Sequence, residues 1–101
     1  PSFRPLSKFP EVRRDLAILI DETVSAQAIV HSIEQASSKI LQEIRLFDIY
    51  TGKGVDKGLK SVALGLILQD FSRTLTDQDI DSEINSVVTA LNKNFAATLR
   101  E

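Results

Sequence analysis

The sequence contains no cysteine, methionine or tryptophan, and it has a single histidine and a single tyrosine. Without cysteine, disulfides and thiolate metal sites are excluded, while a reducing compartment is permitted. His31 stands alone and the carboxylates are scattered, so no ligand spacing for a metal ion emerges, and His31 reads as a surface or rim residue. A serine nucleophile would need His31 as its base, yet no serine sits in a nucleophile-elbow sequence. No apolar run nears the roughly 18 residues needed to cross a bilayer, and the N-terminus lacks a signal-peptide layout. A soluble, cytoplasmic protein with no membrane partner is therefore expected. Because the chain starts at Pro1 rather than at a methionine, it is also expected to be a piece of something longer.

What is present fits one folded domain. The 101 residues are 43% hydrophobic and 26% charged, enough for a single modest core and far from the composition of a disordered chain. Twelve basic against fourteen acidic residues give a net charge of −2, below the balance of a self-sufficient nucleic-acid binder. The signs are unevenly placed, however. Arg4, Lys8, Arg13 and Arg14 face only Glu11 in the first fourteen residues, whereas Asp77, Asp79, Asp81 and Glu83 crowd one later segment. One basic and one acidic face are expected.

Pro1, Pro5 and Pro10 keep residues 1–12 out of any helix, because each lacks an amide donor and restricts the residue before it, so this stretch reads as an extended arm. Residues 13–21, RRDLAILID, read as a strand apolar on both sides and hence central to a sheet. Ser25 is a candidate N-cap for an amphipathic helix over 25–37, with Ala26, Ile29, Val30, Ile33 and Ala36 at helical spacing. Residues 40–51 resume as a strand in which Ile44 and Leu46 face one way. Beyond Leu46 strict alternation would bury Asp48 and Tyr50 and expose Phe47 and Ile49, a chemically odd result that a bulge would repair. Val62, Leu64, Leu66 and Leu68 alternate along a third strand over 59–70, opposite Ser61, Ala63, Gly65 and Gln69. Thr76 and Asp79 make a capping-box-like start to a second helix carrying Ile80, Ile84, Val87, Val88 and Leu91 and ending near Lys93 and Asn94. A short last strand over 95–100 completes β-α-β-β-α-β. This is the α+β, ferredoxin-like arrangement: a four-stranded antiparallel sheet, expected in the order 4-1-3-2, with both helices on one face.

The second and third strands flank a glycine-rich loop. Gly52, Gly54 and Gly58 satisfy neither the P-loop nor the dinucleotide pattern and lie between two strands, so they read as turn residues with positive φ. Lys53 and Lys57 with Lys60 make the tip locally basic and are candidates for phosphate contact, or simply a solvated loop. Tyr50, with possible help from Phe47 or Phe71, is the candidate for stacking a base. The paired aromatics of a common RNA-recognition motif are absent.

Three stretches carry a resemblance: KFPEVRRDLAILID (8–21), LFDIYTGKGVDKGLKS (46–61) and LQDFSRTLTDQDI (68–80). Together they resemble the C-terminal ferredoxin-fold anticodon-binding domain of phenylalanyl-tRNA synthetase β subunits, over nearly the whole chain, 1–101. The matching elements are Arg14-Asp15, Phe47-Asp48 with Tyr50, the three loop glycines, Lys60-Ser61, Arg73-Thr74-Leu75 and a close on Leu99-Arg100. The resemblance implies a non-catalytic module of an ATP-dependent ligase, with tRNA(Phe), the rest of the β subunit and a catalytic α subunit as partners. It implies no cofactor in this segment, ATP and Mg2+ belonging to the larger enzyme. RNA contacts would fall to Arg14, Tyr50, Lys53, Lys57, Lys60, Ser61 and Arg73, with Asp15 and Asp48 orienting basic neighbours. Thr51 stands where the family commonly has arginine, which removes one potential phosphate contact. Two other readings compete. A module that only docks against the rest of the synthetase would use Arg14, Asp15 and Arg73 as an ion-pair network. An acylphosphatase of the same fold would need a glycine-bounded phosphate loop after the first strand, which Glu22-Thr23-Val24 does not supply.

Overall fold

Six elements account for most of residues 9–100, the part of the chain described by the structure, a computed structural model. They run β1 (Val12–Asp21), α1 (Ala26–Ala36), β2 (Leu41–Tyr50), β3 (Leu59–Leu68), α2 (Asp77–Phe95) and β4 (Thr98–Leu99). The sheet order is β2-β3-β1-β4 and every pairing is antiparallel, the expected order read from the other edge. Of the anticipated N-terminal arm, residues 1–8 lie outside the described part.

Local chemistry starts both helices. The Ser25 hydroxyl accepts the Ala28 amide at 3.0 Å, satisfying one of the first-turn donors of α1. At α2 the Thr76 hydroxyl accepts the Asp79 amide while the Asp79 carboxylate accepts the Thr76 amide, a reciprocal capping box with Asp in the place of Glu. Ile29 and Ile33 of α1 and Ile80, Val87 and Leu91 of α2 then bury against Ile18, Ile20, Val62, Leu64, Leu66 and Leu68 of the sheet. These strand residues all share one face. Both helices cover it, and the other face has no helix.

The end of the chain departs from expectation. No glycine or proline stops α2 at Lys93, so it continues to Phe95 and ends on Ala96, a non-glycine residue at φ 57°. The Ala97 amide reaches back to the Leu91 carbonyl and Asn92 Nδ2 donates to the Ala97 carbonyl, closing the turn. What remains for β4 is two residues, paired with Ile18 and Leu19.

β2 carries two register shifts against β3, at Gln42 and at Phe47. The second is the bulge that the awkward alternation past Leu46 called for. Leu46 pairs with the buried Leu64, Phe47 is the extra residue, and Asp48 and Tyr50 pair with Ala63 and Ser61 on the open side. Ile49, opposite Val62, returns to the helix side.

Two buried polar groups pin the helical layer. Glu83, only 6% exposed, accepts both the amide and the hydroxyl of Ser38 at 2.8 Å, tying α2 to the turn between α1 and β2. Lys60, 8% exposed, donates to the Val24 carbonyl ahead of α1.

Candidate functional site

Register decides which side chains populate the open face. In an antiparallel pair, residues directly opposite point the same way. Ser61, Ala63, Gly65 and Ile67 of β3 therefore share the open side with Arg13, Asp15, Ala17 and Leu19 of β1 and with Glu43, Arg45, Asp48 and Tyr50 of β2. In the middle of this face Ala17 lies beside Ala63, both half-buried, while Asp15 lies beside Gly65, which is buried.

At one end stands the loop between β2 and β3. Gly52, Gly54 and Gly58 have φ of 121°, 88° and 90°, conformations an L side chain adopts only with strain, which explains three glycines in seven residues. The Tyr50 ring folds toward Gly52, and its hydroxyl donates to the Lys53 carbonyl at 2.9 Å, which fixes the ring against the loop at this end of the face. The loop is tied down by the Glu22 amide bonding the Gly58 carbonyl at 2.9 Å. Gly54 lies beside the guanidinium of Arg100, just past β4, while the Arg100 amide bonds the Ala17 carbonyl at 2.7 Å. The ammonium groups of Lys53 and Lys57 and the guanidinium of Arg100 have no ion-pair partner among the described residues.

At the other end the Phe47 ring lies against Gly65. Arg13 covers that ring at 4.7 Å from its centroid and also donates to Asp15 at 3.0 Å. Arg45 pairs with Glu43 next to it.

The seven candidate residues therefore divide. Tyr50, Ser61, Lys53 and Lys57 gather at the loop end of the open face, although Ser61 is nearly covered at 7% exposure. Three others do not join them. Lys60 pairs with the core residue Ile20, lies on the helix side and is spent on Val24, so its ammonium is not part of the basic rim. Arg14 pairs with Leu66 and shares the helix-side alternation of Leu16, Ile18 and Ile20, so it is exposed on the wrong face. Arg73 binds Asp79 and lies 3.5 Å from Asp70 at the start of α2, which removes it from the sheet and gives it a structural partner. That ion pair holds the Asp79 carboxyl below the usual carboxylate range, with the Thr76 amide adding to the effect.

Among the described residues Arg14, Asp15 and Arg73 thus share no network: Asp15 pairs with Arg13, Arg73 with Asp79 and Asp70, and Arg14 donates only to the Arg13 carbonyl. Asp15 does orient a basic neighbour, but that neighbour is Arg13. Asp48 orients none and stands without an ion-pair partner among the described residues. Arg13 was legible in principle, since alternation that turns Leu16, Ile18 and Ile20 inward turns Arg13 outward. Arg100 had no such signal, because only the folded loop brings Gly54 to it. Among the described residues no three His, Asp or Glu side chains gather to hold a metal ion, and no helix is long and apolar enough to cross a membrane.

Charge follows the layers. The two helices carry five carboxylates, Glu34, Asp77, Asp79, Asp81 and Glu83, against Lys93 alone. The rest of the chain holds eleven basic and nine acidic residues.

Comparison with known proteins agrees with this geometry. Residues 7–100 match the family model described as ferredoxin-fold anticodon binding domain. Over 100 residues the chain is 47% identical to a phenylalanine–tRNA ligase β subunit of Xanthomonas euvesicatoria pv. vesicatoria, covering 99% of this chain and 13% of that protein. Over 101 residues it is 46% identical to proteins of the same name from Pseudomonas savastanoi pv. phaseolicola and Pseudomonas fluorescens, again covering 13% of each. The chain spans about an eighth of the length of these relatives.

Proposed function

The chain belongs to the ferredoxin-fold anticodon binding domain family, and from that premise we propose that it receives the anticodon loop of tRNA(Phe) on its open sheet face. It would do so as part of a phenylalanine–tRNA ligase β subunit, the name its relatives carry, with aminoacylation performed on the α subunit. ATP and Mg2+ belong to that catalytic part, and no residue of this chain is given a role toward them.

One observation carries the reading: Ala17 and Ala63 lie on the sheet face that the helices leave uncovered, bordered by Tyr50 and by three cations that have no ion-pair partner among the described residues. RNA is read in sequence chiefly where unpaired bases can be splayed, stacked and hydrogen-bonded on their edges. Tyr50 supplies the stacking surface, with its hydroxyl already satisfied by Lys53 so that ring orientation is set before RNA arrives. Lys53, Lys57 and Arg100 meet phosphates, which fix register without reading sequence. Asp48, exposed on the same side, offers a carboxylate to base edges. A mildly acidic chain can serve here, because tethering to a larger tRNA-binding enzyme raises the effective concentration of the loop.

The test is tRNA charging by the complete ligase with Tyr50→Ala, measured at several salt concentrations. Stacking on one aromatic contributes on the order of 1–3 kcal/mol, so KM for tRNA should rise about five- to 150-fold while ATP and phenylalanine kinetics hold. Unchanged charging, or crosslinks from tRNA confined to other domains, would replace this reading with a module that only docks against the rest of the enzyme.

A further inference from the structure

We propose that Phe47 and Arg13 form a second stacking platform on the open face, for a nucleobase of the anticodon loop adjoining the one at Tyr50. The inference rests on the anticodon-loop reading above and adds a site to it. Phe47 is the extra residue of the β2 bulge; following the helix-side Leu46 it points to the open side, where it is 47% exposed, and the bulge keeps Asp48 and Tyr50 on that same side. The ring needs Gly65 beneath it. A Cβ at that position would sit 2.9 Å from Phe47 Cε2 and 2.9 Å from Asp15 Oδ1, closer than such atoms approach, so the absent side chain makes room for ring and carboxylate.

Arg13 completes the arrangement. Its guanidinium lies 4.7 Å from the ring centroid and is held by Asp15 at 3.0 Å, while half of its side chain stays exposed. Guanidinium planes and aromatic rings are the two surfaces on which unpaired bases stack. A plane already held by a carboxylate and a ring loses little freedom on binding. Asp15 also offsets the charge of Arg13, which suits it to a base rather than to a phosphate, while the cations without an ion-pair partner among the described residues stand at the loop end. Three residues of strand separate Phe47 from Tyr50, roughly 10 Å at about 3.3 Å each, a gap that neighbouring nucleotides of an unstacked strand can bridge.

The experiment uses the complete ligase and anticodon stem-loop RNAs carrying one abasic nucleotide at each loop position in turn, bound to wild type and to Phe47→Ala, Arg13→Gln, Arg13→Lys and Tyr50→Ala. Phe47→Ala and Arg13→Gln should weaken the intact RNA about five- to 150-fold. One abasic position, different from the one linked to Tyr50, should cost wild type that same factor and cost these two variants nothing more. Arg13→Lys should behave as Arg13→Gln, since it keeps charge and loses the plane. Thermal unfolding of each variant identifies any loss that is merely a loss of fold, and the position-specific pattern does not arise from such a loss. If Tyr50→Ala shows its abasic partner while the Phe47 and Arg13 variants lose the same factor at every position, or bind like wild type, the second platform is overturned and the anticodon reading stands. If no variant and no abasic position matters, both fall together.

Discussion

Replacing Glu83 by alanine is expected to be the most damaging change to any acidic residue of α2. The four carboxylates of its first two turns look alike in sequence, yet Glu83 is 6% exposed and accepts two hydrogen bonds at 2.8 Å from Ser38. A hydrogen bond to a charged group contributes about 1.5–3 kcal/mol, and a buried methylene about 0.8 kcal/mol. The two bonds share one residue and do not add fully, since water can reach the exposed Ser38 once the carboxylate is gone. The loss should therefore be about 3 kcal/mol. For a domain of this size each kcal/mol moves Tm by about 4–8 °C, so a drop of more than about 10 °C is expected. Glu83→Gln keeps the methylenes and one acceptor and should lose about half as much. Asp81→Ala, on the exposed side of the same helix, should stay within about 0.5 kcal/mol. Urea unfolding of the four proteins, with m-values compared to confirm two-state behaviour, measures all of this. A Glu83→Ala protein as stable as Asp81→Ala would show that the Ser38 tie contributes nothing, and the account of how α2 is fixed to the start of β2 would be wrong.

Three further outcomes follow from side-chain placement. Lys53→Ala and Lys57→Ala should each lower the salt dependence of tRNA binding by the complete ligase by roughly one in the log–log slope, whereas Lys60→Met should leave that slope unchanged and reduce stability instead. Equal slopes for all three lysine variants would contradict the separation of faces. Ala96→Gly should stabilise the chain by about 0.5–1 kcal/mol in denaturant unfolding, since it removes the strain of a β-carbon at φ 57° and part of the gain is offset by a more flexible unfolded chain. A destabilised Ala96→Gly variant would mean that the residue is not held in that conformation. Asp79→Asn concerns pH. Arg73, and then the Thr76 amide, hold the folded-state pKa of Asp79 below its unfolded value, so its stabilisation is complete above about pH 4 and is lost as pH falls further. The variant should be less stable than wild type at neutral pH, with the gap narrowing below about pH 4; a gap that stays constant down to pH 2 would refute the pairing.

The sequence by itself determined what depends on near neighbours. Ser25 before an apolar stripe and Thr76 three residues from Asp79 define helix starts, because a cap satisfies amides within one turn of itself. Alternation through Val62, Leu64, Leu66 and Leu68 determined the core side of β3, and the residue order was enough for the family and for an open face opposite the helices. Only the tertiary structure decided the composition of that face. A single added residue at Phe47 shifts every later side chain of β2 to the other side of the sheet, and no local pattern specifies where the addition falls. Alternation in β1 and β3 already separated Arg13 from Arg14 and Lys60 from Ser61, but the roles of Lys60 and Glu83 depended on partners 36 and 45 residues away, Val24 and Ser38. Arg100 meets Gly54, 46 residues earlier, only on folding. Short-range hydrogen bonding and side-chain periodicity are properties of consecutive residues, whereas occupancy of a surface is fixed by register and by contacts between segments that the chain brings together only on folding.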